Sequence, residues 1–148
     1  MNNLVGVLHK FRRGRVAVMC HIQRMFHMFK VHESDWDYLR FLWYRDKKME
    51  EVVEFWVTVH IFGATSSPGS ATFGLRSLAP DSCDPESKFD MQARDFIMND
   101  FYVDDGLLSI DTAEQVVRVV NGAVTMCTKS NVRLHKFVGN DKSVLKGL

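Results

Sequence analysis

Proline and cysteine are both scarce here, three of each in 148 residues. Cys20, Cys83 and Cys127 are odd in number, far apart and without metal-ligand spacing. That argues against a disulfide framework and a cysteine metal site, and it reads rather as buried or free thiols in a reducing compartment. Excess charge is missing too. The 19 Lys and Arg against 18 Asp and Glu leave a net charge of +1, so no overall basic field advertises nucleic acid. No segment approaches the roughly 20 apolar residues of a membrane span. Lys10, Arg12, Arg13 and Arg15 interrupt any signal-peptide core near the N-terminus. The expectation is a soluble intracellular chain, cytoplasmic or nuclear, with no membrane partner. What is present, 46% hydrophobic and 25% charged residues, is the composition of one globular domain that can bury a core without staples.

Periodicity places the elements. Residues 2–11 read as an amphipathic helix with Leu4, Val5, Val7, Leu8 and Phe11 near one face. The basic cluster 10–15 that follows is either a solvated loop or a phosphate contact. Residues 16–22, VAVMCHI, are apolar on both faces, which predicts a strand buried between two layers. Residues 39–44 and 53–62 read as an antiparallel pair joined by the charge-dense segment 45–51. Ser67 suits an N-cap and Pro68 the first helical position, with Ala71, Phe73, Leu75 and Leu78 following. A polar loop is expected at 81–87 and a helix at 89–98. Asp111 with Glu114 forms a capping-box arrangement ahead of Ala113, Val116, Val117, Val120, Ala123 and Val124. Residues 132–138 alternate as a last strand. Separated antiparallel strands with helices between them predict an α+β fold, the helices gathered on one face of the sheet.

Between the last two helices stands Phe101-Tyr102-Val103-Asp104-Asp105-Gly106. Aromatic and β-branched residues favour strand, and Asp-Asp-Gly tolerates turn geometry, so a tight hairpin is predicted. Adjacent carboxylates repel unless a cation lies between them. Such oxygen-rich sites suit Mg²⁺, and two ions can clamp both oxygens of a phosphoryl transfer. Alone, the signal is weak, and the pair reads far more readily as solvated turn residues. His9, His27, His32, His60 and His135 show no ligand spacing, and a metal-dependent hydrolase built on the two aspartates lacks a positioned base.

Three blocks in order raise the pair above that: VAVMCHIQRMFHMF at 16–29, LRFLW with TVHIFGATSSP at 39–43 and 58–68, and FYVDDGL at 101–107. Together with LHKFVGN at 134–140, they resemble the reverse transcriptases of long-terminal-repeat retroelements, most closely the BEL/Pao-type group. The resemblance covers nearly the whole chain. It implies a polymerase palm, residues 1–148 forming a partial reverse transcriptase domain that copies RNA or DNA into DNA. It also implies two Mg²⁺ held by three aspartates. Asp104 and Asp105 match the hairpin pair as catalytic and metal-binding residues. Phe26 matches the ring beneath the incoming sugar that rejects a 2′-hydroxyl, Phe62 and Gly63 the loop supporting the nucleotide, and Tyr102 the aromatic near the primer end. The implied partners are an RNA or DNA template–primer, a deoxynucleoside triphosphate and the remainder of a retroelement polyprotein.

One position departs from the family. Where the resemblance implies the third aspartate, at the end of the first palm strand, this chain has His21. Mg²⁺ prefers oxygen donors, while imidazole suits Zn²⁺ and later transition metals. The plainer reading of His21 is a loss tolerated in a decaying element; a re-specified metal site is the other. Gln23 and Met28 also differ from the residues more usual in the family. The comparison further implies incomplete fingers and no thumb, so a catalytically inactive fragment is expected. The alternative is a non-catalytic remnant with residual nucleic-acid binding or no function.

Overall fold

The strand β1 (Val16–Ile22) organises the structure, a computed structural model that describes residues 2–79 and 88–148. It pairs antiparallel with β5 (Asp105–Ile110) on one side and β6 (Leu134–Gly139) on the other. The short β4 (Phe101–Tyr102) adds to β5, giving the order β4-β5-β1-β6. Along β1, Val18, Cys20 and Ile22 are buried while Met19 and His21 reach solvent. The strand is therefore not sandwiched between two layers as its composition suggested. One face is covered by helices and the other stays open around His21; Met19, 39% exposed, is the apolar residue that disguised the alternation.

The covered face packs on α3 (Lys88–Asn99) and α4 (Ala113–Thr128). In α4, Val116, Val119, Val120, Ala123, Met126 and Cys127 recur at helical spacing and all are buried. From α3 come Ala93, Phe96 and Ile97. The cap of α4 is Thr112, one residue later than expected. Its extended backbone lets Oγ1 accept the Gln115 amide at 3.4 Å, so Thr112 and Gln115 occupy the places assigned to Asp111 and Glu114. A similar shift opens α2 (Ser67–Leu78). Ser66 holds the cap position and Ser67 is its buried first residue, with Oγ 3.3 Å from His60 Nδ1. Ala71 and Leu75 join the core, whereas Phe73 points to solvent.

The helices are not all on one face. In the β1–β5 register Leu107 and Ser109 share the side of Met19 and His21, and that side meets α1 (Leu4–Phe11). The Ser109 hydroxyl donates to the Lys10 carbonyl at 3.2 Å and accepts the Gly14 amide at 3.0 Å. Val7 and Leu107 are buried there, outside the main core. Asn3 caps α1, accepting from the amides of Val5 and Gly6.

A separate two-stranded sheet, β2 (Arg40–Tyr44) with β3 (Val52–Trp56), follows a 3-10 segment at Glu33–Leu39. β3 ends six residues before Phe62; its continuation makes only an isolated bridge from Val59 to Lys30. Phe41, Trp43 and Trp56 are exposed, whereas Phe11 is half-buried at the end of α1. The whole is a mixed α+β structure with small antiparallel sheets. Among the described residues no helix is long and apolar enough to cross a membrane. The loop expected at 81–87 lies outside the described residues.

Candidate metal centre at the hairpin tip

Tyr102 pairs with Asp105, so the turn between β4 and β5 is Val103-Asp104, earlier than the Asp-Asp-Gly composition suggested. Val103 takes the left-handed conformation (φ +55°), a strained state for a β-branched residue. Gly106 plays a different part from the one expected. It lies inside β5, where a Cβ would come within 2.5 Å of the Phe101 ring and 2.9 Å of Cys20 Sγ. Glycine is needed for close packing there, not for the turn.

Several contacts fix the tip. The Asp104 carbonyl accepts the Ile22 amide at 2.9 Å, tying the turn to the end of β1. The Phe101 carbonyl accepts Asn2 Nδ2 at 2.8 Å, and Arg76 of α2 in turn bonds Asn2 and the Met98 carbonyl. Just before the hairpin, Asp100 is buried and paired with Lys10 Nζ at 3.1 Å. Burial raises its pKa and the Lys10 hydrogen bond works against that rise.

Register then assembles the centre. His21 faces Asp105 on β5 and His135 on β6. His21 Nδ1 lies 3.3 Å from Asp105 Oδ1, and Nε2 lies 3.6 Å from Asp104 Oδ2. One potential ligand atom from each of the three residues falls within 4.8 Å of the others. All three side chains remain open to solvent, Asp104 least, at 22%. A depression of ≈400 Å³ beside them is lined by Met19, Cys20, His21, Asp105, Lys136 and Val138. The His135 ring stands 5.5 Å from that of His21, and its Nε2 is shut from solvent without a hydrogen-bond partner. Desolvation, followed by the charges of His21, Lys136 and Arg133, lowers the His135 pKa. Cys20 projects to the opposite, covered face. Burial pushes its thiol up to about 12, so it remains protonated and outside the centre.

The other expected site residues divide. Tyr102, opposite Asp105 in the hairpin, shares its side of the sheet. Phe26 is 5% exposed and belongs to the core, with Phe62 edge-on against it at 4.7 Å. Phe62 is the accessible ring of this pair. Gly63 has φ +88° and its Cβ position is open space, so glycine serves backbone conformation there rather than close approach. Sequence reasoning missed His135. It sits on an alternating strand, but only the pairing of β6 with β1 brings it beside His21, and no local spacing records that pairing.

The donor set does not fit the pair of Mg²⁺ ions that the resemblance implies. Two carboxylates supply oxygen, but the third side chain supplies nitrogen, and Mg²⁺ demands a near-octahedral oxygen shell. No family model matches the chain, and no curated protein matches it.

Proposed function

We propose that this chain is a reverse transcriptase palm of retroelement descent whose nucleotidyl-transfer centre is disabled. The observation that carries the reading is the convergence of the first-block strand and the YVDD hairpin. His21 and Asp105, 84 positions apart, are cross-strand neighbours, and Asp104 completes the cluster from the turn. The order of blocks, the antiparallel sheet and the open face around His21 support the same reading. In this role the open face carries a template–primer, Tyr102 lies near the primer end, and Phe62 with Gly63 supports a nucleotide. His21 argues against turnover, because the centre has two carboxylates where a two-metal site of this kind needs three. The second reading, a remnant without nucleic-acid binding, is favoured by the same histidine.

Photocrosslinking separates the two. A primer with a photoreactive 3′ nucleotide, annealed to an RNA or DNA template, is expected to label the 101–105 hairpin or β1 near Met19, without extension by deoxynucleotides. Absence of saturable binding would favour the inert remnant. Labels confined to the outward surfaces of α3 and α4 would overturn the palm reading.

A further inference from the structure

We infer that His21, Asp104 and Asp105 form a site for one divalent ion of the imidazole-accepting class, Zn²⁺ foremost, in place of a Mg²⁺ pair. The inference deepens the palm reading and rests on it for the location of the centre. Without an ion, hydrogen bonding to Asp105 holds the His21 ring toward the acids, and on metal binding one of its nitrogens would turn to the ion. Here each ring nitrogen faces a carboxylate oxygen, at 3.3 Å and 3.6 Å. An imidazole binds one ion through one nitrogen. One donor atom from each of the three residues already lies within 4.8 Å of the others, and drawing these together to the roughly 3.3 Å edges of a tetrahedral site with ligands about 2.0 Å from the ion would close them around a single ion.

Charge points the same way. Two carboxylates and a neutral imidazole balance one divalent cation, whereas two cations would leave about two positive charges uncompensated. One nitrogen and two oxygens from protein leave a fourth position to water, as in an open zinc site. A second imidazole also stands close by. His135 Nε2 is shut from solvent and unpartnered, so the His135 ring is not committed through that atom to another role.

Isothermal titration of the chain with ZnCl₂, MnCl₂ and MgCl₂, without nucleic acid, tests this. One equivalent of Zn²⁺ is expected, with no saturable Mg²⁺ binding at millimolar concentration. His21→Ala and Asp104→Asn should each weaken Zn²⁺ by about tenfold or more, a loss at least as large as that of an outer-sphere partner. Asp105→Asn, at the most exposed of the three, repeats the test should either of those variants lose its far-ultraviolet circular dichroism. His21→Asp should reverse the preference towards Mg²⁺. Zn²⁺ affinity unchanged in the folded variants would place the ion on other histidines and overturn the inference. So would no Zn²⁺ binding, or saturable binding of two Mg²⁺. Because nucleic acid takes no part, such a failure leaves the crosslinking result standing, and failed crosslinking leaves the metal titration standing.

Discussion

The two sheets among the described residues are built from similar residues and treat them in opposite ways. In β1, alternate side chains disappear beneath α3 and α4, and Val18 and Ile22 are each 1% exposed. In β2 every residue is exposed and in β3 only Val53 is partly covered, although the hairpin carries Phe41, Leu42, Trp43, Tyr44, Phe55 and Trp56. Its strands hold mainly to each other. Phe41 stacks on Phe55 at 5.7 Å, Arg40 pairs with Glu54, and Trp56 Nε1 donates to Asp37. A two-stranded ribbon of this kind is marginal by itself. The difference teaches that apolar composition nominates a core residue but a packing partner decides it. The sheet that places His21 and the aspartates is the part with partners.

Substitutions can break or sharpen that contrast. Phe96, 1% exposed and 5.0 Å from the Phe101 ring, fills the core behind the acidic hairpin. Phe96→Ala should cost about 3–5 kcal/mol in denaturant unfolding. Gly106→Val drives a side chain into Phe101 and Cys20 and should cost about 1–3 kcal/mol. Thr112→Ala removes the cap of α4 and should cost about 1 kcal/mol. Trp43→Ser, at a position 61% exposed, should change unfolding stability by less than about 0.5 kcal/mol while reducing self-association in sedimentation velocity. A loss from Trp43→Ser as large as that from Phe96→Ala would mean the hairpin is packed in solution, and the contrast would fail.

Much of this arrangement was legible in the residues. The valine spacing of α4 and the alternation of β6 announced their elements, because each pattern is local and strong. The cap of α4 moved from Asp111 to Thr112 because neighbouring Asp and Thr compete for the same role and backbone conformation chooses between them, whereas α2 opens at Ser66 and Ser67 with no side-chain cap bond. The function of Gly106 was hidden: its constraint comes from Phe101 and from Cys20 on another strand. The open face of β1 was hidden for a similar reason, since Met19 looks like a core residue until the extent of helix cover is known. At the centre, Asp104 and Asp105 were visible as a pair and His21 through the resemblance. His135 needed the β1–β6 register, which depends on contacts more than a hundred residues apart.

The central claim is that His21 leaves room for one metal ion where the palm resemblance implies two. Crystals soaked in Mn²⁺, which accepts both carboxylate and imidazole, count the ions directly through anomalous scattering. A single peak bonded to His21, Asp104 and Asp105 is predicted. Two peaks about 3.5–4 Å apart, bridged by the aspartates, would contradict it.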